Sequence, residues 1–484
     1  MVLWFILTLP LIAAALALWA SRHRTVPGGV TVLATALQLL LALAVAARCA
    51  SGAMVTALPG WVSCDAFGAL VLALCAFAGF TAALFSIGFT RRATQPMEAG
   101  RVRRYFVRFN LFLVPVLAVP LLSNVALVWI AVALTTLLSI FLVSFDQSTA
   151  ALEAAWKYAI LTSMGAALAL FGVLVLYWAM RQGGAEDFTW SGLAAAAGAM
   201  PPLLVKTAFL FMLVGYGTKA ALVPFHSWLP DVYSQAPVPI CALLSVVETT
   251  TLPYVIVRLL PLFPGKAGDG AGRWLLAFGL LSAVGAALLL VQVKDLKRLF
   301  AYSTIENAGI ILTAAGLGGA AGYGSVYQLM NHALAKPFGF FAAGAALLFA
   351  GTTEIAAVQG LGRRSPLAGA ALLAGALAVT GAPPLRPLPE RAVHPPGRRR
   401  GPPLSPRGPA HALHGGRLLR GPLPRDPHGV RQGLRHGAPA GLPQELRPGA
   451  FRGLRAGGAA GRESARLGRT PTAPGRDGAG EVMP

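Results

Sequence analysis

Long apolar runs broken by short polar clusters dominate the chain from its first residues to about position 384. Runs of spanning length fall at about 3–20, 27–49, 65–90, 108–122, 125–145, 153–180, 203–224, 237–262, 273–292, 299–319, 323–350 and from 367. A helix gains about 1.5 Å per residue, so roughly 20 apolar residues cross a hydrocarbon layer about 30 Å thick. The pattern predicts an all-α fold, a polytopic transmembrane helix bundle. Composition agrees, with 56% hydrophobic and 12% charged residues over 484 positions. Met1 opens directly on an apolar run with no basic leader, so the first span is read as a retained helix.

Polar clusters supply an orientation. Basic residues gather at Arg22 and Arg24, at Arg91, Arg92, Arg101, Arg103 and Arg104, at Lys294, Lys297 and Arg298, and at Arg363 and Arg364. With the spans above, all four clusters fall on one face. Cations are retained on the cytoplasmic side, which puts the N-terminus outside a cell inner (cytoplasmic) membrane.

One charge interrupts the apolar pattern at a telling place. In FLFMLVGYGTKAALVPFHSWLPDVYSQAPVP (209–239), Lys219 lies five residues before Pro224 and seven before His226. A charge in hydrocarbon is costly, so this one must face a protein interior or a water-filled path. Proline removes a backbone donor, which predicts a discontinuous helix beside a cavity. The combination reads as an ion pathway. His226 and Asp231 either pass protons from the cavity toward the cytoplasm or cap the broken helix, with Trp228 as an interface anchor; the structural role is favoured for Asp231. His332 and Lys336, four apart after Asn331, share one helical face. Glu306 lies about eight residues beyond the basic cluster at Asp295, Lys297 and Arg298 and can reach inward as an entry carboxylate, while that cluster reads as a solvated loop. Glu153 and Lys157 have the spacing of a stabilising helical pair.

Cys49, Cys64, Cys75 and Cys241 are scattered singly, with no CxxC or His/Cys spacing for zinc, haem or iron–sulfur ligation. No phosphate loop or dinucleotide fingerprint is present. The reading is therefore no cofactor and no metal, and no electron handling by this chain.

From Pro383 the composition changes abruptly. The last 102 residues hold 18 arginines, no lysine, six acids and 19 prolines. Such a segment invites a reading as a basic tail for nucleic acid or anionic lipid. Arginine without lysine amid Pro, Gly, Ala and His is instead what a GC-rich gene yields in a shifted frame. LRPLPERAVHPPG (385–397) has codons that, read one base later, give FGLFLSERFILR, an apolar helix with one acid. The tail is expected to be the disordered, non-native product of a frameshift near Pro384, with no nucleic-acid partner.

The segments GYGTKAALVPFHSWLPDVYSQAPVPICALLS (215–245), KDLKRLFAYSTIENAGIIL (294–312), NHALAKPFGFFAAG (331–344) and AVTGAPP (378–384) resemble the antiporter-like membrane subunits of respiratory complex I, membrane-bound hydrogenases and multisubunit cation/proton antiporters. LEAAWKYAILTSMGAALALFG (152–172) leans toward formate-hydrogenlyase-type hydrogenases. The resemblance implies two inverted five-helix repeats, each with one broken helix. It divides the chain into N-terminal helices at 1–64, a translocation core at 65–382 whose second repeat is incomplete, and the tail at 383–484. It also implies a membrane subunit that moves protons while partner subunits transfer electrons, with other membrane-arm subunits, a peripheral redox arm and the bilayer as its partners. A cation/proton antiporter subunit and a non-conducting scaffold are the alternatives.

By the same resemblance Lys219 is the central proton carrier, and His332 and Lys336 continue a hydrophilic axis. The proton-pathway set is Lys219, His226, Glu248, Glu306, His332 and Lys336. Two positions depart from the family pattern. Ala133 stands where a glutamate normally pairs with the broken-helix lysine, and Thr250 where a lysine or other polar relay residue is common. Glu248, nearby in SVVETTTLPYV, is either a relocated partner for Lys219 or an acid facing a neighbouring subunit.

Overall fold

The computed structural model describes residues 1–20, 24–92, 97–263 and 270–380. Arg22, the Pro383–Pro484 tail and the frameshift reading lie outside the described residues. The helices are α1 (Val2–Trp19), α2 (Val26–Ala50), α3 (Ala66–Arg92), α4 (Ala99–Ala118), α5 (Val125–Val143), α6 (Thr149–Gln182), α7 (Trp190–Ala196), α8 (Pro202–Lys219), α9 (Trp228–Gln235), α10 (Val238–Arg258), α11 (Ala271–Leu290), α12 (Leu296–Leu317), α13 (Gly319–Ala350), α14 (Leu361–Arg364) and α15 (Pro366–Thr380). Every expected span has its helix, and among the described residues eight helices are long and apolar enough to cross a membrane.

Three departures from the sequence reading have physical causes. First, α4 begins at Ala99 and takes Arg101, Arg103 and Arg104 into the helix. Val102, Tyr105, Phe106 and Phe109 recur at helical spacing and bury one face, so the arginines extend the helix rather than form a loop. Second, a two-stranded hairpin, β1 (Val55–Leu58) and β2 (Val62–Cys64), links α2 to α3. Its strands are too short and too interrupted to stand out from apolar periodicity. Third, the basic cluster at the start of α12 is only partly solvated. Lys297 is buried and donates to Ser234 O and Ala236 O, both at 2.7 Å. It satisfies carbonyls at the end of α9 that have no helical partner.

Backbone groups freed by proline are met by side chains, as an apolar solvent requires. Pro10 cannot donate to Ile6 O; the buried Gln38 of α2 reaches that carbonyl at 3.4 Å. Caps are supplied by Asn124 on α5, Ser148 on α6 and Asp295 on α12.

Small residues let helices touch closely. At the α6–α8 crossing, a Cβ on Gly165 would lie 2.8 Å from Gly215 O. A similar approach joins α11 and α12, where a Cβ on Gly279 would lie 2.8 Å from Gly309 O. By contrast, α10 is buried along nearly its whole length. It is the central helix of the bundle, a rank that an apolar run does not reveal.

The break between α8 and α9 is stitched from several sides. α8 stops at Lys219, and Ala221 follows with φ of 56°. A non-glycine residue in that left-handed region costs about 1–2 kcal/mol, so the surroundings must enforce it. Val223 N donates to Ser282 Oγ of α11 at 3.0 Å, and Trp228 Nε1 donates to Thr218 O at 2.9 Å. Trp228 is thus a buried brace across the gap, not the interface anchor expected from sequence. Replacing it with Phe removes this bond, a loss of about 0.5–1.5 kcal/mol, and leaves Thr218 O with the Ala221 N–H at 3.2 Å. The expected result of Trp228→Phe is a lowered thermal midpoint in detergent; an unchanged midpoint would show that the brace contributes nothing.

Candidate functional site

Lys219 sits at the last residue of α8, where the helix gives way to irregular backbone. Its side chain is 3% exposed and faces the interior of the bundle. The ammonium has three N–H groups and three oxygen acceptors: Thr136 Oγ1 at 2.7 Å, Tyr158 OH at 3.3 Å and Glu248 Oε1 at 3.2 Å. Its nitrogen also lies 5.6 Å from the centre of the Tyr158 ring. Four helices therefore converge on one charge: α5, α6, α8 and α10.

The hydroxyl directions follow from the bonds. Ser139 Oγ donates to Thr136 O at 2.9 Å, so in its 2.7 Å contact with Tyr158 it accepts the phenolic proton. The phenol oxygen is then left free to accept from Lys219. This arrangement suits the charged lysine. A neutral amine would carry two N–H groups and a lone pair, leaving one of the three oxygens without its donor.

The expected loss of a partner at Ala133 is thus offset. Ala133 is a small residue on α5, and Thr136, one turn along, makes the contact from that helix. The carboxylate comes instead from Glu248, whose own side chain is 2% exposed. Oε1 pairs with Lys219, while Oε2 makes no hydrogen bond among the described residues. Of the two readings of Glu248, the geometry gives the lysine partner rather than an outward-facing acid. Thr250, on the same helix, bonds back to Val246 O at 2.8 Å and meets Cys75 Sγ at 3.5 Å.

A second polar group lies across α10. His332 Nε2 is 3.3 Å from Ser245 O, and Ser245 is one turn before Glu248 on the same helix. One turn further along α13, Lys336 is fully buried and donates to Phe300 O at 2.7 Å and to Ser303 Oγ. Among the described residues it has no carboxylate within ion-pair distance. Its helix is continuous through Pro337. Glu306, on α12 with Ser303, is partly buried and makes no ion pair with Lys336. His226 lies in the α8–α9 break, partly buried, its ring 6.4 Å from that of Tyr302, and its Nδ1 makes no hydrogen bond among the described residues. The structure thus gathers Lys219 with Glu248, and His332 with Lys336. It leaves His226 and Glu306 outside both groups.

Asp231 has a different setting. It accepts from Lys157 at 3.2 Å and from Arg298 at 2.9 Å, and Lys157 also pairs with Glu153 at 2.8 Å. This exposed network joins α6, α9 and α12 at one end of the bundle.

Three contributors were missed from sequence: Thr136, Tyr158 and Ser303. The available signal was a hydroxyl in an otherwise apolar span, at a depth where water cannot satisfy it. That signal alone does not say which hydroxyls face one another.

Residues 123–389 match the family described as NADH:quinone oxidoreductase/Mrp antiporter, TM. The chain belongs to this family. It is a multi-pass membrane protein. Over 331 residues it is 37% identical to a hydrogenase-4 component F homolog of Methylacidiphilum infernorum, covering 66% of this chain and 69% of that one. It is 29% identical over 323 residues to NADH-quinone oxidoreductase subunit N of Desulforudis audaxviator, covering 65% of this chain and 62% of that protein. Among solved structures, one chain of the membrane-bound sulfane sulfur reductase, an archaeal respiratory membrane complex, superposes with a TM-score of 0.70 at 27% identity. That match covers 79% of this chain and 78% of the other. A chain of the Mrp complex of Dietzia sp. gives a TM-score of 0.70 at 23% identity over 79% of this chain and 71% of the other, a likeness of fold.

Proposed function

We propose that this chain is a membrane subunit of a proton-translocating oxidoreductase of the hydrogenase or NADH-quinone oxidoreductase kind, which moves protons while partner subunits transfer electrons. The observation that carries this reading is the buried Lys219 ammonium at an interrupted helix, paired with Glu248 from a different helix. Burial disfavours the charged lysine and the carboxylate favours it, so a small change in their separation changes proton affinity. Because the two groups stand on α8 and α10, relative motion of those helices can load or release the proton.

The route proposed for the proton runs from Lys219 and Glu248 past Ser245 to His332, Lys336 and Ser303. Glu306 and His226 flank it as exchange points with water. The segment 65–382 is the translocation core and 1–64 holds flanking helices. The basic clusters support a location in the cell inner membrane with the N-terminus outside.

The family also contains antiporters, and an Mrp complex shares the fold. A cation/proton antiporter subunit is therefore the second reading. The test is proton uptake by inverted membrane vesicles carrying the assembled complex. Lys219→Ala is expected to lower uptake at least tenfold, the loss of a group that acts in every turnover. Uptake at the unmutated rate would make the chain a scaffold.

A further inference from the structure

Two cysteines that look isolated in the sequence meet beneath the hairpin. Cys49 lies in the last turn of α2 and Cys64 closes β2; each is 1% exposed. Cys49 Sγ donates to Cys64 O at 3.3 Å. Burial first, and the adjoining Cys49 thiol next, push the Cys64 thiol up to about 12. The other two cysteines are engaged elsewhere, Cys75 with Thr250 and Cys241 with Tyr233 O at 3.2 Å.

Cys64 is also fixed from its far side. Val55 pairs with it across the hairpin. Next to it, Ser63 N donates to Leu121 O at 2.9 Å, and its hydroxyl meets that of Ser123 at 2.6 Å. Asp65, the following residue, caps α3 through Gly68 N at 2.8 Å and pairs with Arg258 at the end of α10. The contact of the Cys49 thiol with the Cys64 carbonyl therefore sits where α2, the hairpin, α3 and α10 are tied together.

We infer that Cys49 and Cys64 form a disulfide site that locks the hairpin to α2 on the outer face of the membrane. The inference rests on the topology proposed above, because disulfides persist in oxidising compartments and are rare in the cytosol. Each thiol gives up one proton and one electron as the S–S bond forms. The two electrons and two protons convert the disulfide of a thiol–disulfide exchange protein into two thiols. The attacking species is a thiolate, and a buried thiol held neutral does not supply one. Exchange therefore takes place before the hairpin packs against α2, and the closed protein keeps whichever state it acquired.

The full-length protein in membranes should be quenched with acid, unfolded and alkylated with a mass-tagged maleimide. Without reductant, two of its four cysteines should be tagged, and all four after reduction. Cys49→Ser and Cys64→Ser should each show three tags whether or not reductant is added. Four tags without reductant would overturn the disulfide. Sidedness is read separately with Ala53→Cys, an exposed position before the hairpin, in a Cys49→Ser, Cys64→Ser background. Labelling by an impermeant maleimide on intact cells is expected. Labelling together with four free thiols in the unmutated protein removes the disulfide alone. Failure to label removes the outward topology and, with it, the disulfide.

Discussion

Glu248→Gln is expected to destabilise the folded protein by about 3–5 kcal/mol, the cost of leaving one member of a buried ion pair without its counter-charge. Glutamine keeps an oxygen near Lys219, so shape and one acceptor survive while the negative charge is lost. Both side chains are almost wholly excluded from solvent, and little water is at hand to take over. The thermal midpoint in detergent should fall, and proton uptake should fall with it. The double variant Lys219→Met, Glu248→Gln should recover much of the midpoint, because no uncompensated charge remains, but none of the uptake. A single variant with an unchanged midpoint would show that the pair does not hold α8 to α10. A double variant that still takes up protons would remove Lys219 from the mechanism.

The second large effect is expected at Gly215. A Cβ there would strike Ala169 N and Gly165 O, which are backbone atoms of α6 and cannot rotate away. Gly215→Leu must therefore push α6 from α8, and those two helices carry Tyr158 and Lys219. Overpacking costs about 1–3 kcal/mol in a core that can adjust; two backbones in contact place this site at or above that range. Loss of folded protein on size-exclusion chromatography is the expected outcome. Gly324→Ala is the control. Its Cβ would meet nothing within 4 Å, and removing a helical glycine should stabilise by about 0.5–1 kcal/mol. If Gly215→Leu behaved like the control, the close approach would be unimportant.

These residues mark where sequence reasoning succeeded and where it stopped. Spans were legible because hydrocarbon imposes one length and one chemistry on every crossing segment. The break after Lys219 was legible because a cation and a proline stand close together in an apolar run. The pairing with Glu248 was only half legible. Spacing along α10 shows an acid in mid-span, but which neighbour it meets depends on how α8 crosses α10. Tyr158 and Thr136 were hidden for the same reason, since a hydroxyl is ordinary until a third helix brings a charge to it. The solvated reading of Lys297 failed because local charge density says nothing of the α9 carbonyls that approach from more than 60 positions earlier in the chain. The contact of Cys49 with Cys64 escaped because a hairpin, not a sequence motif, folds one beneath the other.

The enclosure of α10 has a mechanical consequence. A rod with a lipid-facing side can turn toward fluid hydrocarbon at little cost; one walled in on every side turns only when its neighbours yield. Ser245 and Glu248 ride on that rod one turn apart. A displacement that pulls the acid from Lys219 therefore also shifts the carbonyl that steadies His332, so both halves of the polar row respond to a single movement.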